Sequence, residues 1–184
     1  MPATRPHVER DAKAAEILDA AEPMLLRDGY EATTMAAIAR AAGVSPNAVY
    51  WYFPGKDELL AAVLRRRHER AFARHDERGE ISMAERAQDA LRQIDELGEL
   101  AVTIHERAKH SPVLAEVHEQ FHADLERRGR EGFEAGGLDP EQARLATDAL
   151  IAMVEGIHLH DEERDPAGRD ELVMWAIARF LDGA

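Results

Sequence analysis

Apolar residues recur every three or four positions along almost the whole chain, and nowhere do they alternate with polar ones long enough to make a strand. The pattern predicts an all-α fold. Helix starts are legible because Ser45-Pro46, Ser111-Pro112, Asp139-Pro140 and Asp165-Pro166 each set a capping oxygen before a proline, whose missing N–H costs nothing at the first helical position. Ser82 and Glu85 add a capping box. With Gly29, Gly43, Gly55, Gly136-Gly137 and Gly168 as stops or turns, about nine helices are predicted, near 10–28, 34–42, 46–52, 56–78, 83–97, 99–109, 112–135, 140–160 and 168–182. Pro23 falls inside the first of these and is expected to bend it, although the stripe of Ile17, Leu18, Ala21 and Leu25 keeps the segment helical.

Two of these helices are very short and lie close together. Met35, Ile38, Ala39 and Ala42 form one apolar face on a helix that Thr34 can cap, and Gly43 supplies a turn. Ser45 caps the next helix, with Val44 placed to pack on Val49 as a hydrophobic staple. Such a pair is a helix-turn-helix, whose second member is narrow enough to enter a DNA major groove. That member ends in Tyr50-Trp51-Tyr52-Phe53, and four consecutive helical positions span about 300°, so one core cannot bury all four rings. Val49 and Phe53 should face inward and the other three rings outward. Lys56, a cation in the first turn of a helix, opposes the helix dipole and calls for a negative partner. The hydroxyls of Thr34, Ser45, Tyr50 and Tyr52 and the Lys56 ammonium are donors suited to phosphates. Pro46, Asn47 and Ala48 are left for base edges, with Asn47 able to pair an adenine and Ala48 to touch a thymine methyl.

Composition qualifies this picture. A net charge of −13 argues against a polyanionic partner, but residues 1–70 carry ten basic and ten acidic residues, so the whole deficit lies beyond them. The first third can gather cations on one surface while the acidic remainder faces solvent or a protein partner. With no cysteine there are no disulfides or thiolate metal sites, and no apolar run is long enough for a membrane. The N-terminal stretch lacks the apolar core of a secretory signal, so a cytoplasmic location is expected.

Residues 10–64 closely resemble the N-terminal module of the tetracycline-repressor (TetR) family of bacterial regulators. The matching marks are Gly29-Tyr30, Thr33-Thr34, Ile38-Ala39, Ala42-Gly43-Val44-Ser45, Tyr50, Phe53, Lys56 and Leu59-Leu60. The resemblance implies a three-helix DNA-binding module at 1–55 and a variable helical effector-binding and dimerising domain at 56–184, with helix 56–78 connecting them. It further implies a palindromic operator, a homodimer, and repression relieved by a small molecule. By position, Tyr50, Tyr52 and Lys56 match the family's phosphate contacts, and Pro46, Asn47, Ala48 and Trp51 fall where it reads or lines the groove. Pro23 and Asn47 depart from the family's usual residues.

In the second part, helix 140–160 carries two apolar stripes, one of which presents Leu145, Ala149, Ala152 and Gly156. With Leu172, Trp175 and Phe180 of the last helix it is expected to form a four-helix dimer interface. Leu97, Ala101, His105, Phe121, Met153 and Ile157 are candidate lining of an effector pocket, though each also suits a core. His118-Glu119-Gln120-Phe121-His122 spells the H-E-x-x-H of zinc proteases, yet Leu125 and Arg128 stand where the extended metzincin signature needs Gly and His. A metal-dependent hydrolase or a metal-responsive regulator is the alternative this segment raises, with His158, His160 and Asp161–Glu163 as a second possible cluster. The chain has no G-x-S-x-G and no phosphate-cradling glycine loop. The expectation is a regulator rather than an enzyme, with no metal centre and no cofactor.

Overall fold

The computed structural model describes residues 5–77, 81–160 and 166–182. Within them it is helical, with no strand: α1 (Arg5–Ala32), α2 (Met35–Ala41), α3 (Pro46–Tyr52), α4 (Lys56–Glu77), α5 (Met83–Leu97), α6 (Glu99–Ala108), α7 (Pro112–Ala135), α8 (Pro140–His160) and α9 (Pro166–Asp182). No helix among the described residues is long and apolar enough to cross a membrane. The expected cluster of His158, His160 and Asp161–Glu163 lies outside the described residues and side chains.

The chain forms two compact units that do not follow a boundary at residue 55. The first comprises Met1–Arg70 and Glu99–Val117, the second Ala71–Gly98 and His118–Ala184. In the first, Ile17, Leu25, Ile38, Val49, Leu59, Leu60 and Leu114 are fully buried, and α1 packs on α2 and α6 while α2 packs on α3. The apolar stripe of α1 therefore has partners on two sides. The backbone of α1 leaves helical geometry at Gly29 (φ 77°), not at Pro23. A positive φ suits a residue without a Cβ, whereas proline's fixed φ is already helical. Thr33, itself buried, donates its hydroxyl to the carbonyl of Gly29 at 2.8 Å, which compensates one of the carbonyls left by the break.

The second unit has its own core, built from Met83, Ala87 and Leu91 of α5, Phe133 of α7, Ala143, Ala146, Leu150 and Ile157 of α8, and Val173 and Ile177 of α9. Helix α9 packs on both α5 and α8. Gly129 of α7 lets α8 come close: a Cβ added there would lie 2.6 Å from the Cγ2 of Thr147, a buried residue of α8.

Candidate nucleic-acid interface

The turn between α2 and α3 is built from local hydrogen bonds. Thr34 Oγ1 accepts from Ala37 N at 3.1 Å and Ser45 Oγ accepts from Ala48 N at 3.2 Å, so each hydroxyl caps its helix as a lone-pair acceptor and keeps its own proton to donate. Gly43 takes φ 65°, and Val44 N returns to the carbonyl of Ala39 at 3.0 Å, which fixes the second helix against the first. Met35, Ile38 and Ala39 hold the inner side of α2, as the stripe requires.

Helix α3 then divides its aromatic run by angle. Val49 is 0% exposed and Phe53 8%, whereas Tyr50 is 51% and Trp51 63% exposed, with Tyr52 between. Pro46 and Asn47 also stand in solvent and Ala48 is half-buried. The helix is thus fully packed on one side and leaves two large rings uncovered on the other, which is unusual for apolar surface of this size. Trp51 and Tyr52 meet edge to face, their ring centroids 4.7 Å apart.

Lys56 departs from the expectation of a cation waiting for an external anion. Its ammonium donates to the carbonyls of Tyr30 at 2.6 Å and Thr33 at 3.1 Å, and lies 3.9 Å from the centroid of the Tyr30 ring. These carbonyls follow the break at Gly29, and they attract a cation as helix C-termini do. Burial draws the Lys56 pKa below its usual value. Two of its three donors are engaged in this way.

The same place holds a part-buried network that periodicity could not reveal. Tyr30 OH donates to Asp57 Oδ1, and Arg107 of α6 grips both carboxylate oxygens of Asp57 at 3.0 Å while its guanidinium lies 4.2 Å from the Tyr30 ring centroid. Burial alone would raise the Asp57 carboxyl, but hydrogen bonds from Arg107, Tyr30 and Ser111 outweigh it and hold the pKa below the usual range. Burial, and then the Asp57 carboxylate, push the Tyr30 phenol upward. The network ties the start of α4 to the end of α1 and to α6, and so steadies the seat of the helix pair. Arg107 lies 50 residues from Asp57 in sequence. Only the Gly29-Tyr30 pair gives any sign of it in the sequence, as a mark of resemblance without a role.

The remaining candidates lie in other places. Leu145 (54% exposed), Ala149, Ala152 and Trp175 (59% exposed) are uncovered, and nothing lies within 4 Å of where a Gly156 Cβ would be. Leu172 and Phe180, in contrast, pack against the core of the second unit, Phe180 meeting Phe133 edge-on with centroids 6.0 Å apart. Of the expected pocket lining, Phe121 borders a cavity of about 40 Å³ with Phe72, Arg86, Asp89, Gln93 and Arg128. Ile157 belongs to the core and Met153 packs against it, Leu97 closes α5, and Ala101 and His105 lie on α6 in the first unit.

The two histidines of the H-E-x-x-H segment lie side by side on α7. His118 Nε2 and His122 Nε2 lie 3.3 Å apart, and the same His122 nitrogen is 3.2 Å from Glu155 Oε1, so its tautomer decides which of the two it bonds, while Glu119 is turned to solvent. Among the described residues no three His, Cys, Asp or Glu side chains are placed to hold a metal ion.

Residues 17–63 match the family described as bacterial regulatory proteins, tetR family. The HTH-type transcriptional regulator TtgR of Pseudomonas putida is 29% identical over 174 residues, which cover 81% of this chain and 80% of that protein. Among solved structures, a TetR transcription regulator from Haloarcula marismortui superposes with a TM-score of 0.77 at 20% identity, covering 94% of this chain and 98% of the other. A transcriptional regulator from Rhodococcus sp. gives 0.72 at 24% identity, with 95% and 97% covered.

Proposed function

We infer, from a chain that belongs to the TetR family and is therefore a DNA-binding transcriptional regulator, that it acts as a dimeric cytoplasmic repressor released from a palindromic operator by a small molecule. The observation that carries the reading is the uncovered face of α3, with Asn47, Tyr50 and Trp51 in solvent over a fully buried Val49. In this reading residues 1–55 are the DNA-binding domain and 56–184 the effector-binding and dimerising domain. Asn47 reads a base edge, Pro46 and Ala48 pack on the groove floor, and Thr34, Ser45, Tyr50, Tyr52 and the remaining donor of Lys56 hold phosphates. Leu145, Ala149, Ala152, Gly156 and Trp175 form the dimer face, which sets two copies of α3 about 34 Å apart, one turn of DNA. Leu172 and Phe180 back that face from the core side.

The cavity beside Phe121 is the place in the second unit from which an effector site could open. A space of about 40 Å³ holds no drug-sized molecule, since such sites run from about 300 to 1,000 Å³. A ligand binding an enlarged form would shift the population toward it and away from DNA, with nothing chemically turned over.

The test is binding to duplexes selected from random DNA, measured against sequence and salt. Asn47→Ala is expected to change preference at one base pair. Lys56→Ala is expected to weaken all sequences alike and lower the salt slope by about one. Because its carbonyl partners Tyr30 and Thr33 then lose a donor, Lys56→Ala should also cost about 1–3 kcal/mol of stability. Unchanged binding in both variants would defeat the assignment.

A further inference from the structure

Arg10, near the start of α1, lies with its guanidinium carbon 4.9 Å from the centroid of the Trp51 ring. Several other arginines of the same unit, Arg27, Arg65, Arg66, Arg67, Arg70 and Arg107, hold a carboxylate, Arg107 while also lying over the Tyr30 ring, whereas the contact of Arg10 is with an aromatic face. A ring neutralises no charge, so the Arg10 cation stays available to an anion while its position is set. Trp51 is itself steadied on its other contact by Tyr52, edge to face. Arg10 is solvent-exposed, and its two neighbours in sequence, Glu9 and Asp11, are each set about 100° away from it round the helix.

Its neighbours decide what the cation meets. Trp51 belongs to the outward face of α3, so Arg10 stands beside the surface that enters the groove, not behind it. A helix with its side chains is about 10–12 Å across and the major groove about 12 Å wide, so a group flanking the inserted helix meets the groove wall, and that wall is phosphate. We propose that Arg10 is a DNA-backbone contact, positioned by stacking on Trp51, and that Trp51 is the platform for this cation instead of a reader of base edges. Long and flexible, an arginine side chain would otherwise have to be ordered on binding, and the stack orders it beforehand.

This inference rests on the DNA-binding assignment, and the experiment separates the two. Wild-type protein and the variants Arg10→Ala, Trp51→Ala, Trp51→Phe and the double alanine are titrated with a duplex selected from random DNA and with a scrambled duplex, at several salt concentrations. Circular dichroism checks the helical content of each. Arg10→Ala is expected to weaken both duplexes by a similar factor, about ten-fold at low salt, and to lower the slope of log affinity against log salt by about 0.9. Trp51→Ala should weaken binding without altering base preference, Trp51→Phe should restore much of the loss, and the double variant should be little worse than Arg10→Ala alone. An unchanged slope in Arg10→Ala, with wild type binding the selected duplex, overturns the proposal and leaves the DNA-binding assignment intact. Fully additive losses, or a change of base preference in Trp51→Ala, overturn the positioning role. If wild type fails to prefer the selected duplex, the operator reading itself falls.

Discussion

Asp57 sits where a carboxylate is expected for its favourable place in the first turn of α4, yet its partners come from α1 and α6. Because its folded pKa lies below the ordinary 3.8, it contributes stability that is fully present above about that pH and is lost as pH falls through the lower folded value. Glu22 acts with the same sign. Its burial would raise the carboxyl, but Arg70, Arg66 and Arg67 hold it down. Lys56, whose value is lowered in the folded state, adds nothing on the acid side. Asp57→Asn is therefore expected to flatten the acid limb of a stability-against-pH curve, though not to abolish it while Glu22 remains, and chemical denaturation at stepped pH measures this. Tyr30→Phe, which removes one hydroxyl donor to the carboxylate, should cost roughly 1 kcal/mol at neutral pH. What is legible in the sequence at this scale follows from angle alone. Val49 and Phe53 turn inward and Tyr50 and Trp51 outward because successive residues are about 100° apart. Lys56 reads from sequence as a waiting cation because its partners lie 23 and 26 residues away, where no local rule reaches.

Helix boundaries are mostly readable for a different reason: capping chemistry is local. The predicted starts at Pro46, Met83, Pro112 and Pro140 coincide with the helices found, and Ser45 and Ser82 cap theirs through their own hydroxyls. Ser45→Ala should lower thermal stability by about 1 kcal/mol, since α3 has only seven residues over which to recover a lost cap. The first helix is less readable. Its break falls at Gly29, where φ is positive, while Pro23 is accommodated inside the helix. Contacts between helices are not readable at all. The approach of α8 to Gly129 depends on which face of α7 it meets, and Gly129→Ala is expected to overpack the buried Thr147 by about 1–3 kcal/mol in a denaturant melt.

At the scale of the molecule, the all-α class and the place of the helix pair follow from periodicity, whereas the division into two units does not, because α6 and the start of α7 join the N-terminal helices from beyond α5. The proposed dimer face is partly legible, as apolar surface that the chain leaves uncovered. The structure leaves Leu145 and Trp175 exposed and claims Leu172 and Phe180 for the core. Ala152→Arg, a charge placed on that face, should give a monomeric mass by light scattering and weaken operator binding by about 10²–10⁴-fold through lost bivalency. The claim beneath all of this is that the exposed face of α3 meets DNA. The chain has two tryptophans, so Trp175→Phe leaves Trp51 as sole reporter on that face. Quenching of its fluorescence by acrylamide, with and without a selected operator, tests the claim most directly. Operator should sharply lower the quenching constant, whereas operator bound with quenching unchanged would contradict a DNA contact on this face.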